Sequence, residues 1–242
     1  MPESDFYDLP MLVGEQYMLT TILRETRDTI LYRATQKELR RDVIVESLRH
    51  SAMENQRKVR IFLDSAKAQA MMQGGALSCV LEVFEAEGTW LVAKESPAGE
   101  PLDLVMTGGK LISALDVCLL LIDLCKLCMR FDAEGVATAR FHMEDIFYHE
   151  HSFRLNNIAL SGTRAPGTSR LYLAEASKEL LPLLDSESRL MGSLASLMKR
   201  LSLNQDDSPL KVALFLAELE RLHTLMLQPP AEGDAAAAAA EA

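Results

Sequence analysis

The sequence predicts an α+β fold with two lobes, a small lobe of five strands and one helix followed by a reduced lobe of helices. Two observations support this prediction. Short β-like runs separated by turn residues fill the first hundred positions, and apolar residues recur at spacings of three and four from Leu102 onward. Strands followed by a block of helices are typical of an α+β architecture. A chain of 242 residues that is 48% apolar can bury the core that such a domain needs.

The elements of the small lobe follow from local patterns. Gly88 supplies a hairpin turn between the last two strands. The helix is predicted over residues 54–73, which are rich in good helix formers and end at Gly74 and Gly75. The five strands are predicted over residues 17–23, 30–34, 42–48, 78–84 and 89–93.

The second lobe is predicted to begin with a buried helix of about twenty residues, capped by the Ser113 hydroxyl. A small hairpin follows over residues 141–148 and 153–160, and two further helices lie near 188–203 and 210–226.

These elements define the expected domain. It spans residues 13–227, with the small lobe at about 13–98 and the second lobe at about 99–227. Residues 1–12 are an N-terminal extension. Residues 228–242 are mostly alanine, have nothing to pack against and are predicted to be a disordered tail.

Charge and cysteine usage narrow the possible partners and compartments. The net charge of −10 and the scattered basic residues argue against nucleic-acid binding, which needs clustered cations. The most apolar run, 117–129, contains Asp123 and Lys126 and is too short to span a bilayer. No signal peptide is recognisable. Four cysteines lie in apolar surroundings without the spacing of a disulfide framework, so a cytoplasmic location is expected.

The run from Tyr17 to Ala34, followed by the apolar run from Asp42 to Leu48, resembles the opening of a bacterial serine/threonine protein kinase domain. The resemblance makes the first run the glycine-rich loop that covers the phosphates of ATP. Arg24, Thr26 and Thr29 occupy its three glycine positions. Glycines let backbone N–H groups approach a phosphate, so these larger side chains should obstruct one.

The same resemblance assigns two substituted positions to the ion pair that holds the nucleotide. The lysine that pairs the α and β phosphates falls on Glu46, and the helix glutamate that orients this lysine falls on Ser65. An acid facing a polyphosphate repels it in a cleft of low dielectric constant. We therefore expect weak or absent binding of ATP and magnesium, and no cofactor.

Residues 135–147 are similar to the catalytic loop of the family, again with substitutions. Arg140 stands at the position of the catalytic aspartate and cannot accept a proton at physiological pH. Asp145 replaces the metal-binding asparagine. Asn157 replaces the metal-binding aspartate of the D-F-G segment and lacks its charge. No residue is therefore assigned a catalytic role.

The resemblance weakens after residue 160. Residues 162–185 are short for an activation segment and contain no A-P-E sequence, which indicates that a peptide-substrate platform is absent. Residues 187–192 are similar to the start of the buried central helix of the family. Few helices follow, so the second lobe is expected to be reduced.

Several of these residues have simpler interpretations. A one-residue register slip would place Glu46 on a solvent face. Glu144 and Asp145 are more often solvated turn acids than a cation site. Cys125 and Cys128 have the spacing of a zinc pair but lie inside a buried helix, which favours a core role. The hairpin also carries three histidines, which could indicate metal or acid/base chemistry but are expected to be solvated: His142, His149 and His151.

Three functions from different classes remain possible. The resemblance favours a catalytically inactive kinase homologue, or pseudokinase, that binds a protein partner as a scaffold or regulator. The alternatives are a nucleotide-binding sensor without turnover and an atypical kinase-fold transferase. A transferase would need a replacement cation, and the spacing indicates no arrangement in which the four candidates converge: Arg24, Arg27, Lys94 and Arg140.

Overall fold

The computed structural model describes residues 9–72, 74–134, 141–158, 168–188, 190–203 and 209–228. The chain divides into two compact units. The first comprises Met1–Leu104 and Arg130–Ala165, and the second comprises Val105–Met129 and Pro166–Ala242.

The first unit contains a six-stranded antiparallel sheet with the order β1-β2-β3-β4-β6-β5. All five predicted strands are present. The sixth, β1, begins at Met11, inside the segment expected to be an extension, because the backbone from Met11 to Val13 pairs with β2. The strands are β1 (Met11–Val13), β2 (Tyr17–Glu25), β3 (Thr29–Gln36), β4 (Arg41–Leu48), β5 (Val80–Ala86) and β6 (Thr89–Glu95).

Alternating side chains of the sheet form its core. Positions two apart along a strand face the same side, so the apolar residues of five neighbouring strands meet there. The turn between β5 and β6 consists of Glu87 and Gly88, both with positive φ, as the predicted hairpin requires. One buried cluster on this sheet comprises Val13, Tyr17, Leu19, Ile30, Tyr32, Ala34, Val43, Val45, Leu91 and Ala93.

Two helices lie between β4 and β5: α1 (His50–Met53) and α2 (Gln56–Met71). The Asn55 side chain accepts hydrogen bonds from the backbone N–H groups of Arg57 and Lys58, which caps α2. Phe62 and Ala66, four residues apart, are buried in one apolar cluster with Leu48 and Val92. The predicted helix over 54–73 is therefore present and two residues shorter at each end.

The first unit also holds a three-stranded sheet with the order β7-β8-β9. Its strands are β7 (Glu100–Pro101), β8 (Ile146–His149) and β9 (Ser152–Leu155). A short 3-10 helix, Met143–Asp145, precedes β8. Ser78 N donates to Leu155 O at 2.9 Å, and Leu155 N donates to Ala76 O. These bonds join the hairpin to the strand-rich region, so the compact units do not follow the boundary expected near residue 98.

The second unit is helical. Helices α3 (Leu102–Thr107) and α4 (Ala114–Glu134) extend across the division, and α5 (Thr168–Leu180), α6 (Met191–Leu203) and α7 (Pro209–Leu227) complete the set. Ser113 Oγ accepts from Asp116 N at 3.1 Å, the predicted cap of α4. Among the helices of the described ranges, none has the length and apolarity that a membrane crossing requires.

Helix α5 lies within residues 162–185, a stretch for which the sequence predicted no helix. Leu173, Ala176 and Leu180 are buried, and their spacing of three and four residues defines one apolar helix face. The glycine and proline residues that precede this helix and the polar composition of the segment obscured this pattern in the sequence.

Candidate functional site

Glu46 and Lys94 form a buried ion pair between adjacent strands of the first unit. Glu46 on β4 lies opposite Val92 on β6, so Lys94, two residues further along, is its diagonal neighbour on the same face. Lys94 Nζ lies 2.7 Å from Glu46 Oε2, and the two side chains are only 2% and 8% exposed. The burial of Glu46 excludes the alternative register in which it would face solvent.

The ion pair continues into a hydrogen-bonded network. Lys94 Nζ also donates to Oδ1 of Asn157, a residue that closely follows β9, at 3.0 Å. The Thr29 side chain hydrogen-bonds to Glu46. Burial alone would raise the pKa of Glu46, but the charge of Lys94 and its hydrogen bond outweigh burial and hold that pKa below its ordinary value. Glu46 is therefore a carboxylate at neutral pH.

Arg24 makes a second cluster of charges at the end of β2. The pairing of β2 with β3 shifts register between Ile22 and Arg24, and such an irregularity re-aims the side chain that follows it. The guanidinium Nη1 lies 2.8 Å from Glu144 Oε1, and Nη2 lies 2.9 Å from Asp145 Oδ1. One guanidinium thus bridges two adjacent carboxylates.

The backbone of the 3-10 helix fixes the two carboxylates. Asp145 N donates to His142 O, and Asn156 N donates to Asp145 O at 2.7 Å. Asp145 is 5% exposed, and burial raises its pKa although Arg24 opposes this change. The expectation that Glu144 and Asp145 are a solvated turn pair is therefore wrong for Asp145, because the folded chain brings Arg24 to it.

A cavity of about 300 Å³ lies beside these two clusters, within the first unit. Ser65 of α2 lines it, and its hydroxyl donates to Ile61 O at 2.7 Å within the same helix. Thr26 also lines it from the β2–β3 turn, where its hydroxyl accepts from the backbone N–H of Thr29 at 2.9 Å. The charged lining residues are Arg24, Asp28, Glu46, Lys58, Lys94, Glu144 and Asp145.

Each lysine and arginine among the described lining residues has a carboxylate at ion-pair distance. Lys94 pairs with Glu46, Arg24 pairs with Asp145 and Glu144, and Lys58 Nζ lies 2.7 Å from Asp28 Oδ1. The expectation that Arg24 and Lys94 do not converge on one region is thus wrong. They converge, but acids of the same chain neutralise them. Arg27 does not line the cavity, and Arg140 lies outside the described residues.

These residues do not fit ATP with magnesium, the ligand that the kinase resemblance implies. The lining carries four carboxylates (Asp28, Glu46, Glu144 and Asp145) against three cations, so its charge repels a triphosphate, and an acid, Glu46, stands where the resemblance places the phosphate-binding lysine. A magnesium ion needs carboxylate oxygens, but Arg24 already contacts those of Glu144 and Asp145. The Asn157 oxygen accepts from Lys94.

The sequence interpretation missed the role of Lys94 as the partner of Glu46. A lysine in the apolar strand Thr89–Glu95 was a detectable signal, since an unpaired charge is expensive to bury. The predicted core role of the helix cysteines is confirmed, because Cys118, Cys125 and Cys128 are buried. Among the described residues, no group of three or more His, Cys, Asp or Glu side chains could hold a metal ion.

Comparison with known proteins supports the architecture. No protein-family model matches the chain, and no curated protein matches it in sequence. The kinase domain of PknI from Mycobacterium tuberculosis, in a single-substitution variant, matches with a TM-score of 0.65 and 10% identity, covering 89% of this chain and 98% of that one. A double-substitution variant of the same domain gives 0.67 and 11%, with 90% and 99% covered. These likenesses confirm the predicted protein kinase-like fold, and at such identities they show the fold alone.

Proposed function

We propose that this chain is a catalytically inactive kinase homologue that acts by binding a protein partner, as a scaffold or regulator. One observation carries the proposal: each described cation lining the cavity is neutralised by a carboxylate of the chain itself. Phosphoryl transfer depends on positioning the phosphates and neutralising their charge with cations. A site whose cations are already paired has little to offer a triphosphate.

The proposal also accounts for the parts of the kinase-like framework that this chain retains. The six-stranded sheet, helix α2 and the buried apolar cluster of the first unit preserve a packed framework. Substitutions concentrate where the family resemblance places nucleotide-binding and catalytic residues. A framework kept without its ligand chemistry fits a binding role better than a catalytic one. The apolar surroundings of the cysteines, three of which are buried on α4, fit the reducing cytoplasm that we propose for this role.

A thermal-shift titration of the full chain tests whether the cavity takes nucleotide. A ligand that binds the native state raises the melting temperature by linkage. We expect no shift with ATP or ADP at millimolar concentration, with or without Mg²⁺ or Mn²⁺. A saturable shift that requires metal would contradict the proposal and favour the nucleotide-sensor alternative.

A phosphotransfer assay with radiolabelled ATP tests the transferase alternative. We expect no label on the chain itself or on a general protein substrate. Incorporation by the unmodified chain that is lost in Lys94→Met, at a temperature where the melting curve shows this variant to be folded, would favour the transferase alternative, with Lys94 as its replacement cation. The partner itself is sought by cross-linking the full chain in extract of its own cells. A stoichiometric cross-link to one protein supports a scaffold, and cross-links only between copies of the chain oppose it.

A further inference from the structure

Ion pairs hold the β2–β3 hairpin to three other parts of the first unit. Its turn closes on itself, since Thr26 N donates to Thr29 O at 2.9 Å. Fixed contacts then tie the hairpin to α1, to α2 and to the 3-10 helix. The pairs are Arg49 with Glu25 at 2.9 Å, Lys58 with Asp28 at 2.7 Å, and Arg24 with Glu144 and Asp145 at 2.8 and 2.9 Å.

The Arg24 contact differs from the other two in burial and in geometry. Asp28 and Glu25 are each 42% exposed, whereas Asp145 is 7% exposed by side chain and Arg24 is 17% exposed. Arg24 Nε, Arg24 Nη1 and Asp145 Oδ1 are buried without a well-aligned hydrogen bond. Two carboxylates at 2.8 and 2.9 Å from one guanidinium hold this contact by charge attraction, which does not depend on direction.

We infer that Arg24 is an internal cation that occupies, between Glu144 and Asp145, the place a divalent metal ion would take, and that it thereby fastens the β2–β3 hairpin to the 3-10 helix. This inference rests on the proposed function, in which the cavity holds no nucleotide with metal. The guanidinium is permanently charged and belongs to the chain, so the hairpin stays fastened without any ligand.

A variant without Arg24 should bind a divalent metal ion. Removing the guanidinium leaves two adjacent carboxylates, one of them buried, with no cation beside them. Carboxylate oxygens are the donors that Mg²⁺ and Mn²⁺ prefer, and a divalent ion would restore the missing positive charge. Arg24→Met should therefore gain a metal site that the unmodified chain lacks.

Mn²⁺ binding to the full chain tests this, without nucleotide, by the loss of the electron paramagnetic resonance signal of the free ion. We expect Arg24→Met to bind a single Mn²⁺ ion and the unmodified chain to bind none in the same range. The melting temperature of the variant should rise by about 3–6 °C when Mn²⁺ reaches roughly ten times its Kd. Arg24→Met/Asp145→Asn should bind Mn²⁺ at least tenfold more weakly.

The matched control is Arg33→Met, because Arg33 is an exposed arginine on the neighbouring strand β3. It should bind no Mn²⁺ and melt as the unmodified chain does. If Arg24→Met does not fold, Arg24→Lys serves, since one ammonium cannot bridge both carboxylates as a guanidinium does. Its Mn²⁺ affinity should exceed that of the unmodified chain.

Two results would overturn the inference. One is a folded Arg24→Met that binds no more Mn²⁺ than Arg33→Met. The other is Mn²⁺ binding by the unmodified chain that Asp145→Asn removes. Either result leaves the proposed function standing, because that proposal fails on nucleotide binding or phosphotransfer, which this experiment does not include.

Discussion

Replacing Lys94 by methionine should destabilise the first unit strongly, because Glu46 would remain buried without its cation. Both side chains are at least 90% buried, at 2% and 8% exposed, so solvent screening scarcely weakens the pair. Breaking a buried ion pair by removing one partner costs about 3–5 kcal/mol of unfolding free energy. In a chain of this size such a loss lowers the melting temperature by roughly 6–20 °C.

The double variant Glu46→Met/Lys94→Met separates the value of the pair from the cost of leaving a charge unpaired. Apolar replacement of both partners is often neutral or stabilising by about 1–4 kcal/mol. Here Asn157 Oδ1 also loses its donor, which costs about 1–3 kcal/mol where water cannot replace it. We therefore expect the double variant to lie within about 2 kcal/mol of the unmodified chain, far above either single variant.

Urea unfolding followed by tryptophan fluorescence measures these differences locally. Trp90 is the single tryptophan of the chain and lies on β6, the strand that carries Lys94. The control is Lys58→Met, which breaks the more exposed pair with Asp28 and should cost less than about 1 kcal/mol. Similar losses for Lys58→Met and Lys94→Met would refute the argument, as would a double variant less stable than both single variants.

The pH dependence supplies a second check on the same pair. The pKa of Glu46 is depressed in the folded chain, so its stabilising contribution is present above its ordinary pKa of 4.5 and is lost as pH falls through the folded value. In Lys94→Met, burial without the cation raises that pKa, and protonation relieves the penalty. The loss caused by Lys94→Met should therefore be larger at pH 8 than at pH 5. An equal loss at both pH values would show that Glu46 is not its source.

Two further predictions concern the framework. Asn55→Ala removes the side chain that caps α2 and should cost about 1 kcal/mol of unfolding free energy in the Trp90 assay, whereas Asn55→Asp, which keeps an acceptor, should cost far less. Burial raises the pKa of the Cys118 thiol to about 12, and among the four cysteines only Cys79 is half-buried rather than buried, so a thiol reagent should modify one cysteine in the native chain and four in denaturant. Rapid modification of more than one native thiol would show that the α4 cysteines are not held in a closed core.

Local chemistry in the sequence was enough to predict most elements of the fold. The five strands, the hairpin turn at Gly88 and the cap at Ser113 each depend on residues close together in the chain. Periodicity and turn residues act over a few positions, so they can be recognised without knowing what packs against them. The same patterns failed for β1, whose three residues are a strand only because β2 lies beside them.

The candidate site was predictable in its residues but not in its pairings. The sequence indicated that Glu46, Ser65, Asp145 and Asn157 are unusual, since each departs from the kinase pattern that surrounds it. Whether such charges repel a ligand or neutralise one another depends on which side chains meet.

Only the tertiary structure determines which of these charged side chains are in contact, and Coulomb energy depends on their distance in space. Sheet register places Lys94 diagonal to Glu46, and the packing of the hairpin against the 3-10 helix brings Arg24 to Asp145. The sequence by itself predicted a kinase-like framework and the positions in it that depart from the family pattern. The folded chain decided which of its charges pair, since partners distant in sequence lie within 3 Å of one another.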